Sequence, residues 1–120
     1  MRVMIVGAST NREKFGNKAV RAYAGQGHVV LPVNPRAEFI EGIRCYQSIA
    51  DVPGPIDRAS LYLPPALGLE AVRELAARGD VSELWLNPGS ESDELIGEAR
   101  RLGLGPILAC SIVAIGEDPH

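Results

Sequence analysis

Val3-Met4-Ile5-Val6-Gly7-Ala8-Ser9-Thr10-Asn11-Arg12-Glu13-Lys14-Phe15-Gly16 reads as a buried strand, a small-residue loop and the start of a helix. An unbroken apolar run with β-branched members suits a central strand covered on both faces. A glycine turn leading from such a strand into a helix N-terminus presents backbone N–H groups and the positive end of the helix dipole. Both favour phosphate. Gly7, Ala8, Ser9 and Thr10 form the small part of the loop, and Arg12 and Lys14 supply charge. The loop departs from G-x-G-x-x-G, because Ser9 and Arg12 stand where the second and third glycines would be.

The rest of the chain alternates in the same way. A helix is expected over about residues 16–26, burying Ala19, Val20, Tyr23 and Ala24 and ending at Gly27. His28–Val33 is the second strand, broken by Asn34-Pro35-Arg36. Residues 37–55 read as irregular, with an extended piece near Gly42–Tyr46 and a helical turn at Ser48–Val52. Ile56–Leu63 is the third main strand, stopped by Pro64-Pro65. A helix over 66–78 follows, with Leu69, Val72, Leu75 and Ala76 on one face. Ser82–Leu86 is the fourth strand and ends at Asn87-Pro88-Gly89. Ser90 or Ser92 caps the next helix, Pro106–Cys110 is the fifth strand, and the remainder reads as a tail or short helix. Strands alternating with helices call for a parallel sheet with right-handed crossovers. The expected fold is α/β: one Rossmann-like domain over residues 1–120, doubly wound on five parallel strands in the order 3-2-1-4-5. Ligands on such sheets sit beyond the carboxyl ends of the strands, where the strand order reverses.

The totals narrow the possibilities. The chain has 120 residues, 46% hydrophobic and 22% charged, the composition of a single folded domain. No apolar run reaches the ~18 residues of a membrane span. Met1-Arg2 leads straight into the first strand, leaving no room for a secretory signal, and two distant cysteines do not make a disulfide scaffold. A cytoplasmic location is the simplest expectation. A net charge of −3 argues against general nucleic-acid binding. Residues 1–36 nevertheless carry six cations against one acid, so positive charge gathers around the first loop and attracts anions.

The end of the second strand separates the candidate ligands. NAD folds usually place an acid there for the ribose hydroxyls. Here the stretch is Val33-Asn34-Pro35-Arg36, without an acid and with an arginine that suits an extra phosphate on the adenosine ribose. NADP carries one at the 2′ position and coenzyme A at the 3′ position, and the residues alone leave both open.

Gly7-Ala8-Ser9 with Lys14-Phe15-Gly16, Pro32-Val33-Asn34-Pro35-Arg36, Tyr62-Leu63-Pro64-Pro65 and Trp85-Leu86-Asn87-Pro88-Gly89 together resemble the CoA-binding domain family. Its members are small standalone proteins similar to the N-terminal domain of the succinyl-CoA synthetase alpha subunit. The resemblance implies a Rossmann-like domain holding coenzyme A or an acyl-CoA at the carboxyl ends of its strands. By that resemblance Ser9 and its loop meet phosphate, and Asn34, Pro35 and Arg36 hold the adenosine end with its 3′-phosphate. Leu63 and Pro64 line the adenine side, and Asn87 and Gly89 face the pantetheine path. The chain departs from the family pattern at Asn87-Pro88, where many members carry glutamine. It departs again after Cys110, where Ser111-Ile112-Val113 replace a lysine-containing segment.

Little in the sequence suggests chemistry beyond binding. His28 opens the second strand, at the far end of the sheet, and His120 is the last residue, expected to be mobile. Cys110 is the reactive-type residue nearest the expected site, where a mixed disulfide with the CoA thiol is conceivable, but no partner to lower its pKa is evident. Cys45 is expected to pack, and no His, Cys or carboxylate set has metal-ligand spacing. The reading is therefore non-catalytic binding of coenzyme A or an acyl-CoA. The alternatives are an NADP-binding domain lacking its catalytic partner and a CoA-binding subunit of a multi-chain acyl-CoA ligase.

Overall fold

In the computed structural model, which describes residues 1–120, five parallel strands form one sheet. They are β1 (Arg2–Val6), β2 (Val29–Val33), β5 (Ile56–Leu61), β6 (Val81–Leu86) and β7 (Ile107–Leu108). Helix α1 (Phe15–Gly25) joins β1 to β2, α2 (Pro65–Arg78) joins β5 to β6, and α3 (Asp93–Arg101) joins β6 to β7. A two-residue hairpin, β3 (Phe39–Ile40) and β4 (Ile43–Arg44), and a 3-10 turn (Ile49–Asp51) lie between β2 and β5. A short helix α4 (Ser111–Ala114) follows β7.

The strand run that opens the chain is buried on both faces by simple alternation. Met4 and Val6 point into a core formed with Val72 and Leu75 of α2 and Leu95 of α3. Val3 and Ile5 point into a second core with Ala19, Val20 and Tyr23 of α1 and Ile112 of α4. Met4 pairs with Leu31 on one side and Ala59 on the other, so β1 is central. Ala24, expected in the buried face of α1, is exposed. Ser92 caps α3 by accepting the Leu95 N–H at 3.1 Å, and Asp93 and Glu94 occupy its first turn, where the dipole favours acids.

The fold class is the expected one, but the strand order is not. The sheet runs β2-β1-β5-β6-β7, which is 2-1-3-4-5 in main strands rather than 3-2-1-4-5. The reason lies in residues 37–55. Tyr46 closes the outer edge of β2: its N–H donates to Pro32 O and its O accepts from Asn34 N–H, both at 2.9 Å. With that edge taken, the chain packs Ile49 and Val52 against the α2 face and enters β5 on the other side of β1. The strand order therefore reverses at β1, and the neighbours of the first loop are the ends of β2 and β5. The fifth strand is also shorter than expected. Only Ile107 and Leu108 pair with β6, and the chain then turns into α4. No helix is long and apolar enough to cross a membrane.

Candidate functional site

A cleft of about 1180 Å³ opens at the carboxyl ends of β2, β1 and β5. That exceeds the ~300–1,000 Å³ usual for small-ligand sites. Of the residues singled out from the sequence, Gly7, Ala8, Ser9, Lys14, Asn34, Pro35, Arg36, Leu63, Pro64 and Gly89 line it.

One wall is made of donors. Gly7 has a φ of +87°, and a Cβ there would lie 2.5 Å from Tyr62 O, so only glycine lets β1 turn this close to β5. A Cβ on Gly16 would lie 2.2 Å from Gly7 O, so a second glycine brings the start of α1 against the same turn. The amides of Gly7 and Ala8 are engaged by Val33 O, whereas those of Ser9, Phe15 and Gly16 have no protein acceptor. The Ser9 hydroxyl accepts the Asn11 N–H at 3.0 Å, which leaves its own O–H to donate outward. Lys14 precedes the first turn of α1 and its ammonium enters no ion pair.

The second wall is a cationic turn. Asn34 donates from Nδ2 to Ala8 O at 2.8 Å, tying the end of β2 to the first loop. Its Oδ1 accepts the Arg36 N–H at 2.8 Å in an Asx turn. Arg36 is thus fixed by its backbone while its guanidinium stays exposed at the rim without an ion pair. The third wall is apolar. Pro64 precedes α2 and Pro65 begins it, so neither offers an N–H, and Leu63 and the exposed Leu67 stand beside them. The start of α1 therefore presents free donors, and the start of α2 presents a proline pair beside apolar side chains. Glu13, Glu70 and Glu74 also line the cleft, and the sequence reading did not single them out.

Four of the expected site residues lie elsewhere. Thr10 is exposed on the outside of the loop. Arg12 turns to Glu41, with its Nε 3.6 Å from Oε1. Asn87 is buried and spent on structure: Nδ2 donates to Ser60 Oγ at 2.7 Å and Leu61 O at 2.8 Å, and Oδ1 accepts the Ser111 N–H at 2.9 Å. Cys110 precedes α4, half-buried and apart from the cleft lining. The strand order explains Asn87, because β5 stands between β1 and β6 and its Ser60 and Leu61 take up the Asn87 amide, while Pro88 and Gly89 of the same loop still reach the cleft.

Asn87 belongs to a buried polar network that sequence reasoning missed. Ser60 Oγ and Ser111 Oγ are 2.7 Å apart, the Tyr62 hydroxyl is 3.1 Å from Ser111 Oγ, and the Tyr23 hydroxyl donates to Ser111 O at 3.0 Å. Arg58 donates to the Tyr23 hydroxyl at 3.2 Å and pairs with Glu83 at 2.9 Å. Burial pushes the Tyr62 hydroxyl up to about 12, against the opposing pull of its bond to Ser111. Cys45 packs as expected, and burial pushes its thiol up. His28 lies at the opposite end of the sheet, its Nδ1 3.0 Å from the Met1 amino group. His120, expected to be mobile, packs edge-on against Phe15 at 5.9 Å between ring centroids.

Comparison with known proteins follows the same lines. A conserved hypothetical protein of Pyrococcus furiosus has a similar structure, with a TM-score of 0.85 and 34% identity over 94% of this chain and 97% of that one. The alpha subunit of ADP-forming acetate–CoA ligase II from Pyrococcus furiosus is 27% identical over 85% of this chain, which spans only 24% of that subunit. Protein YneT of Bacillus subtilis is 25% identical over 78% of this chain and 68% of its own length. The family described as CoA binding domain matches residues 1–116, and the chain belongs to that family.

Proposed function

We propose that this protein binds coenzyme A or an acyl-CoA in the cleft and performs no chemistry on it alone. The observation that carries the reading is the arrangement of three unlike walls. Unpartnered amides at the start of α1 suit the pyrophosphate, the fixed and unpaired Arg36 suits the 3′-phosphate, and the apolar Leu63-Pro64-Pro65 wall suits the adenine. The ligase relative's CoA handling fits this cleft. Its ligation is not carried over, since neither a cysteine nor a histidine lines the cleft. Two or three charge-assisted hydrogen bonds at ~1.5–3 kcal/mol each, offset by association costs, give a dissociation constant on the order of micromolar.

NADP remains the competing ligand because Arg36 also suits a 2′-phosphate. Calorimetric titration separates them. The expected result is binding of CoA at a roughly micromolar constant and no heat from NADPH. Binding of NADPH with none of CoA would assign the cleft to a dinucleotide.

A further inference from the structure

Glu41 is the one residue other than glycine with a positive φ, at 51°, and Gly42 follows at 75°. The β3–β4 connection therefore has left-handed geometry at both central positions, a type I′ turn that favours Asn-Gly. Glutamate there holds backbone strain. Its side chain does not run into solvent; it is 26% exposed and reaches back across the fold to the first loop. Oε2 accepts from Asn17 Nδ2 at 3.1 Å, and Oε1 lies 3.6 Å from Arg12 Nε. Asn17 is fully buried and also donates from Nδ2 to Ser9 O at 2.9 Å. Its Oδ1 accepts from Arg21 Nε at 2.8 Å, and Arg21 Nη2 donates to Arg12 O at 2.8 Å. Asn17, Glu41, Arg12 and Arg21 thus form a closed ring at the base of the loop, to which Asn17 ties the Ser9 carbonyl.

We propose that Glu41 is a positioning residue for the phosphate loop. Acting through Asn17 and Arg12, it pins the Ser9 carbonyl against the start of α1 and so holds in place the loop that carries the Ser9 amide and hydroxyl. Asn17 has two amide protons, and Ser9 O and Glu41 use both; without Glu41 one buried donor is orphaned and the loop relaxes to satisfy it. The inference rests on the CoA reading for its ligand. Its sign is informative, because an acid near an anion site would otherwise only repel ligand.

The test is Glu41→Asn in the full chain. Asparagine suits the turn but is too short to span to Asn17. Thermal unfolding, calorimetry with CoA and 3′-dephospho-CoA, and amide hydrogen exchange of residues 9–17 are measured together. The expected result is an unchanged or higher Tm, about tenfold weaker binding of both ligands and faster exchange over that segment. Glu41→Gln, which keeps an acceptor for Asn17, falls between. Equal or tighter binding by Glu41→Asn with unchanged exchange overturns the proposal, as does weaker binding without any change in exchange. If the wild type binds no CoA, the CoA reading fails by itself. Exchange then decides the positioning role alone, and unchanged exchange overturns it.

Discussion

Gly16 shows how a single missing side chain sets the cleft. The three nearest atoms a Cβ would meet there, Gly7 O, Gly7 C and Ala8 Cα, are all backbone, so no rotamer change relieves the clash. Gly16→Ala must push the start of α1 away from the first loop, at ~1–3 kcal/mol as in other overpacked cores. The expected outcome is a Tm lower by about 5 °C or more in a chain of this size. A Tm unchanged by Gly16→Ala would mean that the two backbones do not approach this closely. Arg36 is the opposite case. Its backbone is fixed by Asn34, yet its guanidinium meets no protein group, so its substitution leaves the fold intact and reports on ligand alone.

Elements that read clearly in the sequence are those whose signal is local. The Val3–Val6 run, the apolar face of 66–78 and the Ser92 cap each lie within a few residues, and the structure has them where expected. Strand order was not legible, because it turns on Tyr46 sealing the edge of β2, a long-range pairing made by a stretch that reads as irregular. The same holds for Arg12 and Asn87. Each has the chemistry of a ligand contact, but Arg12 meets a hairpin tip 29 positions away, and Asn87 serves Ser60 and Leu61 of β5 and Ser111 of α4, two separate segments. The network that holds Asn87 makes its own prediction. Tyr62 ionises near ~10 in the unfolded chain but is pushed up to about 12 when folded. Stability from its neutral form is complete below the unfolded value and is lost as pH rises through the folded one. Urea unfolding at about pH 9 and about pH 11.5 is therefore expected to show a larger loss for wild type than for Tyr62→Phe, by on the order of 1–2 kcal/mol. Equal losses would show that the hydroxyl is not held neutral by burial.

Across the whole molecule, the six cations of the first 36 residues do not form one uniform field. Arg2 is tied to Pro53 O and Pro55 O, Arg21 to Asn17, Arg12 to Glu41, and Lys18 lies over the Phe15 ring. What remains at the cleft is Lys14 beside the helix amides and Arg36 at the end of β2, two separated points of charge facing an apolar wall. In the proposed reading these two charges serve the pyrophosphate and the ribose phosphate of CoA, and Glu13, Glu70 and Glu74 share the lining. The decisive measurement is calorimetry of CoA and 3′-dephospho-CoA with wild type and Arg36→Ala. The expected result is a wild-type preference for CoA of about tenfold or more, abolished by Arg36→Ala, with the dephospho form bound equally by both proteins. Equal binding of the two ligands by wild type, or an Arg36→Ala loss shared by both, would contradict the assignment of Arg36 to the 3′-phosphate and with it the reading of the cleft.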